Sequence, residues 1–167
     1  EEIDPSFQHV TAADLPTCLE AAARLVETAK ADAERHCDDL DVREVDELKQ
    51  ALGAGTTGRR PRNVEAAIKE LEREQKLRRT RVQRDSIDRA LVDVLALYRD
   101  VLVRQLGAGV ELVNDEVRSS IDRLAAASTP ESTVRRMEAV VAAREALEAN
   151  AAPLLALEAM ALSLREG

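Results

Sequence analysis

The sequence predicts an all-α helical bundle containing one long helix at about residues 63–106. Three observations point there. Asn63 to Leu106 is a stretch of 44 residues without a Gly or Pro. Aliphatic residues recur at three- and four-residue spacing in several segments, as on one face of a helix. Aromatic content is 1%, Phe7 and Tyr98 alone. The core must therefore be built from Leu, Val, Ile, Ala and Met, which suits packed helical ridges. At 167 residues the chain is long enough to bury one core, and 34% charged against 45% hydrophobic residues is the balance of long amphipathic helices.

From Thr11 to about Leu52, Leu15, Leu19, Ala22, Leu25, Val26, Ala29 and Ala33 mark one helical face, with Pro16 tolerated in the first turn. The continuation through Leu40, Val45, Leu48 and Leu52 is less regular and follows Asp38, Asp39 and Asp41, so a break or a second helix is expected near 38–42. Gly53 ends the element. Residues 53–58 then read GAGTTG, the spacing of a dinucleotide-binding loop. That chemistry needs a strand before the glycines and a helix opening directly on them. Here the glycines follow a helix, and Arg59, Arg60, Pro61 and Arg62 stand where the phosphate-binding helix should begin. The segment 53–62 reads as a flexible Gly/Arg loop.

Asn63 is a suitable N-cap for the long helix. Its front presents Val64, Ala67, Ile68 and Leu71, its back Ile87, Leu91, Val94, Leu95, Tyr98, Val101 and Leu102. Between them, EREQKLRRTRVQRDS offers only Leu77 and Val82 as apolar contacts. Pairs such as Glu65 to Lys69, Glu72 to Lys76, Glu74 to Arg78 and Asp85 to Arg89 would contribute only about 0.2–0.5 kcal/mol each. This midsection is expected to project into solvent or await a partner. Gly107 and Gly109 end the helix, and Asn114 is placed to cap DEVRSSIDRLAAA, with Val117, Ile121 and Leu124 inward. In STPEST, Ser128 or Thr129 caps the next helix and Pro130 takes its first turn. That helix should bury Val134, Met137, Val140, Val141 and Leu147. The last element, APLLALEAMALSLR, is apolar almost all round, so it is expected to be buried on most sides, in the bundle centre or at a subunit interface.

Charge is unevenly shared. Residues 1–52 hold 14 acids and 5 bases, 53–106 hold 8 and 13, and the remainder 10 and 6, giving the overall net charge of -8. Lys76, Arg78, Arg79, Arg81 and Arg84 form a run of five bases unbroken by acid, the one plausible nucleic-acid stripe. With Arg59, Arg60 and Arg62 they are weak candidates for contacts to an anionic partner. On a helix they spread round the axis with no aromatic residue among them for stacking, so a solvated face is the plainer reading. Cys18 and Cys37, on one helix, would be roughly 28 Å apart, beyond disulfide reach, as expected of thiols in a reducing compartment. His36 beside Cys37 has no second ligand pair at metal spacing. No nucleophile-base-acid set or phosphate-loop motif is present in the sequence, so no catalytic, cofactor or metal residue is assigned. No apolar run nears the ~18 residues that span a bilayer, nor does the start read as a signal peptide. The opening EEIDPSF lacks an initiator Met, as expected of a piece of a longer chain.

Two stretches carry a resemblance. KELEREQKLRRTRVQRDSIDRALVDVLALYRDVLVRQLG and VRRMEAVVAAREALEANAAPLLALEAMALSLR resemble the carboxy-terminal collar domain of delta-prime subunits of bacterial, above all actinobacterial, DNA polymerase III clamp loaders. The second is the more specific, through Arg144, Glu145, Asn150, Leu154, Leu155, Glu158 and Leu162; ELKQALGAGTTGRRP is similar to the actinobacterial insertion before the long helix. The resemblance covers roughly residues 45–165, with the first 40 matching less clearly. It implies an opening collar segment at 1–52, the loop at 53–62 and the main collar bundle at 63–167. It implies a noncatalytic, cytoplasmic, replisome-associated assembly domain without cofactor. Its partners would be the gamma/tau-type and delta-type clamp-loader subunits, with the sliding clamp and primed DNA reached only through AAA+ modules not in this sequence. Leu154, Leu155, Leu157, Met160, Leu162 and Leu164 are the candidate interface, or else this domain's own core. A free-standing, self-associating helical adaptor and a nucleic-acid module built on the basic run are the alternatives.

Overall fold

The computed structural model describes residues 15–52 and 62–166. The loop at 53–61, with the GAGTTG spacing, Arg59 and Arg60, lies outside the described residues, as do Phe7 and His9. Five α-helices follow one another among the described residues, with no strand: α1 (Leu15–Ala51), α2 (Arg62–Gln105), α3 (Arg118–Ala127), α4 (Pro130–Glu148) and α5 (Pro153–Glu166). A short 3₁₀ turn, Asp115–Val117, precedes α3. The all-α expectation holds. The chain divides into two compact units, one of Glu1–Val26 and Ile87–Gly167, the other of Glu27–Ser86.

In the first unit, the core draws Cys18, Ala21, Ala22 and Leu25 from α1, and Ile87, Leu91, Val94, Leu97, Tyr98 and Val101 from α2. Leu97, Val101 and Ile121 form a cluster against which Leu112, Val117, Leu124 and Ala125 pack, so the inward face expected of α3 is the observed one. Each fully buried aliphatic side chain of this kind contributes about 1.5–3 kcal/mol by leaving water. α2 stops where Gly107, at φ +62°, turns the chain left-handed, letting its N–H reach the Arg104 carbonyl and the Ala108 N–H reach that of Val103. This crossed pair of bonds satisfies carbonyls that the helix end would orphan.

Asn114 does not cap by its side chain. Its Nδ2 and its backbone N–H both donate to Oδ2 of Asp100, at 2.9 and 2.8 Å, while the Val113 N–H donates to Oδ1 at 3.1 Å. Asp100 is fully buried on α2 and straps the 107–114 connection to it. Burial alone would raise its carboxyl pKa, but the Asn114 and Val113 N–H groups and Arg99 outweigh that and hold it below the ordinary range. Gln105 performs a similar service further on: Nε2 donates to the Ser128 carbonyl at 2.9 Å and Oε1 accepts from Thr133 Oγ1 at 2.9 Å.

In the second unit, the later part of α1 and the earlier part of α2 form an antiparallel hairpin. Ala29, Ala33, Cys37 and Val64 are buried in it. α1 is continuous through 38–42, where a break was expected. The acids there do not interrupt the helix: Asp41 is buried and paired with Arg78 and Arg79, and Asp38 reaches Arg79 at 3.0 Å. One face of the α2 midsection is held to α1 through Gln75, Arg78 and Arg79, while Leu77 and the charged residues around it stay exposed, as expected.

Candidate functional site

α4 begins as the sequence requires. Thr129 accepts the Ser132 N–H on Oγ1 at 3.2 Å, and Pro130 sits in the first turn, where its missing N–H costs nothing. The helix ends at Asn150, whose φ of +65° is left-handed. The Asn150 N–H bonds the Leu147 carbonyl at 3.0 Å and the Ala151 N–H that of Ala146 at 2.9 Å, the same crossed closure as at Gly107. Pro153 then opens α5. Of the residues that carry the resemblance, Asn150 thus makes a turn. Arg144 makes a brace: its Nε and Nη2 donate to the two carboxylate oxygens of Asp88 on α2, at 2.6 and 3.0 Å. A fork of this shape adds direction as well as energy.

Arg136 is the buried cation of α4. Its Nε donates to the Leu164 carbonyl at 3.1 Å, satisfying the last turn of α5 from the side that favours positive charge. Tyr98 lies within its field, but burial dominates and pushes the phenol up to about 12.

α5 is two-faced. Ala156, Leu157, Met160, Ala161 and Leu164 are buried, whereas Leu154, Leu155 and Leu162 are exposed, Leu155 at 66%. The spacing from Leu155 to Leu162 is two turns, so these positions share an outward face. Leu157, Met160 and Leu164 therefore belong to the chain's own core, and the interface candidates reduce to Leu154, Leu155 and Leu162. The expectation of burial on most sides is corrected in the same way. α4 repeats the pattern: Val140, Ala143 and Leu147 are inward, but Val134 and Val141, expected inside, are exposed two turns apart. Ser132, Thr133 and Arg136 take inward positions instead, and the side chains of Thr133 and Arg136 have internal hydrogen-bond partners there.

No protein-family model, curated protein or solved structure matches the chain. The surfaces must be read from their own chemistry.

The basic run does not act as a unit. Arg78 donates to Asp41 Oδ1 at 2.9 Å and through both terminal nitrogens to Glu44, and Arg79 Nε donates to Asp41 Oδ2 at 2.7 Å with Nη2 reaching Asp38 at 3.0 Å. Gln75 adds donations to the Asp41 carbonyl at 3.0 Å and to Glu44 at 3.1 Å. Arg78, with Gln75, holds the Glu44 carboxyl down at about 2. Arg78 and Arg79 are thus engaged within the hairpin, and Arg78 turns to α1 rather than to Glu74. Lys76 and Arg81 remain on exposed positions, and Arg84 is half-buried. Arg62 opens α2, but its side chain lies outside the described residues.

Cys18 and Cys37 are both buried on α1, with no disulfide between them. Among the described residues no group of three or more His, Cys, Asp or Glu is placed to hold a metal ion, and no helix is long and apolar enough to cross a membrane.

Proposed function

We propose that this chain is a noncatalytic helical assembly domain of the clamp-loader collar type, part of a delta-prime-like subunit in a cytoplasmic, replisome-associated complex. Gamma/tau-type and delta-type subunits are its partners through collar packing. The sliding clamp and primed DNA are contacted by other parts of the assembly. The observation that carries the reading is the outward aliphatic face of α5, Leu154, Leu155 and Leu162, on a helix whose opposite face is already buried. Two exposed leucines of one turn and a third two turns on form an association surface rather than a scatter of single apolar residues. The resemblance in the α4 and α5 sequence supports the choice of partner.

Native mass spectrometry of the chain, alone and mixed with the collar segments of the other clamp-loader subunits, tests it. A discrete mixed complex, lost in the Leu155→Asp, Leu162→Asp double variant while circular dichroism stays helical, supports the assembly role. A stable homo-oligomer indifferent to those partners would make the chain a self-associating adaptor. Salt-sensitive DNA binding abolished by neutralising Lys76 and Arg81 would instead favour the nucleic-acid module.

A further inference from the structure

The hairpin of Glu27–Ser86 carries a groove that the collar reading does not use. It has a volume of about 610 Å³ and is lined by Glu44, Glu47, Leu48 and Ala51 from α1, and by Ala67, Glu70, Leu71 and Glu74 from α2. Both sets follow the same spacing of one helical face, i, i+3, i+4, i+7. Because the helices are antiparallel, the two alanines lie toward one end and Glu44 and Glu74 toward the other. The floor is aliphatic, and the walls are glutamates.

Of those glutamates only Glu44 is firmly balanced from within. Glu44 is neutralised by Arg78, and Glu70 has only Arg73, at 4.0 Å. Among the described residues neither Glu47 nor Glu74 has a cation at ion-pair distance. The groove therefore combines apolar surface that gains by leaving water with a negative rim that repels an acidic occupant.

We infer that this groove is a docking site for a basic amphipathic helix of another protein. Such a helix would lay aliphatic residues onto Leu48 and Leu71, come closest over Ala51 and Ala67, and set Lys or Arg from its flanking positions against Glu47, Glu70 and Glu74. The arrangement is that of a third strand completing a helical bundle, where flanking charges choose the partner. A second copy of this chain is a poorer match, since Arg78 and Arg79 of its basic run are already held by Asp38, Asp41 and Glu44. The inference stands apart from the collar reading and fails or survives separately.

Fluorescence anisotropy with the whole chain tests it, using a labelled model helix bearing Leu and Ala at i, i+3, i+4 and i+7 with Lys on the flanks, and a twin with Glu in place of every Lys. The basic helix should bind about tenfold or more tighter than its twin, and bind more weakly as salt rises from ~50 to ~300 mM. The Glu47→Gln, Glu74→Gln double variant, altered only at exposed positions, should lose most of that preference while remaining helical. Equal binding of the twins, or a preference unchanged in the double variant, overturns the inference. A dimer of the chain alone that the same variant dissolves overturns it too, assigning the groove to a second copy.

Discussion

Arg79 reaches across from α2 to place its Nε 2.7 Å from Oδ2 of Asp41, a carboxylate whose side chain is only 5% exposed on α1. Asp41 also accepts from Arg78, and its own carbonyl accepts from Gln75. A buried charge so bound is costly to strip of its partners, because the one left behind is desolvated and uncompensated. Asp41→Asn should therefore destabilise the hairpin by about 1.5–3 kcal/mol. Arg79→Ala, at a partly exposed position with Arg78 still in place, should cost only about 1 kcal/mol or less. Urea unfolding of the two variants, followed by circular dichroism, gives the comparison; equal losses would refute the asymmetry.

Acid should weaken the same cluster. The Glu44 carboxyl titrates at about 2 in the folded chain against an ordinary 4.5, held down by Arg78 and Gln75. A depressed folded pKa stabilises above the unfolded value, and that stability is lost as pH falls from about 4.5 through about 2. Carbon-detected NMR of the glutamate carboxyls should show Glu44 as the low outlier. Arg78→Gln should return it towards its neighbours and flatten the dependence of stability on pH across that window.

Two helix ends depend on left-handed residues, Gly107 and Asn150. A Cβ at Gly107 would meet no atom within 4 Å, so only the backbone resists substitution. Gly107→Ala should cost about 1–2 kcal/mol, and Asn150→Gly should be neutral or mildly stabilising. Thermal melts of the two variants should shift in different directions or by clearly different amounts.

The two faces of α5 separate by mutation. Leu157→Ala should cost about 2–5 kcal/mol, the range for emptying a packed core position. Leu155→Ala should change the stability of the isolated chain by no more than about 0.5 kcal/mol. If Leu155 proved as costly as Leu157, its outward placement would be wrong.

The helices were legible because their signals are local. The Gly-free, Pro-free run marks α2, the Thr129-Pro130 pair starts α4, and aliphatic spacing picks out Ile121, Leu91 and Tyr98. What sequence periodicity misjudged were positions whose environment is set by a neighbouring helix. Val134 and Val141 read as core, yet Thr133 and Arg136 took the inward places because Gln105 and the Leu164 carbonyl were waiting for them. Asn114 had the residue type of a cap, but its side-chain Nδ2 and backbone N–H are turned instead to the buried carboxylate of Asp100, in charge-assisted bonds.

The hairpin shows the same limit. An acidic first third beside a basic middle was visible as composition, and the opposite signs are what bind Asp38, Asp41 and Glu44 to Arg78 and Arg79. Composition alone does not show which arginine turns inward and which stays on the surface. The groove left a fainter trace: Glu47-Leu48 and Glu70-Leu71 repeat one dipeptide at matching points of two helices. Only antiparallel pairing makes those two dipeptides the walls and floor of a single groove.

The central claim is that the outward leucine face of α5 is an assembly surface, and site-specific photocrosslinking tests it most directly. With a benzophenone residue replacing Leu155, and purified clamp-loader partner subunits present, illumination should give a covalent adduct to a gamma/tau-type or delta-type collar segment. The same group at exposed Ala142, on another helix, should give much less. An adduct only to a second copy of the chain, or none at position 155 while the chain stays folded, would contradict the account.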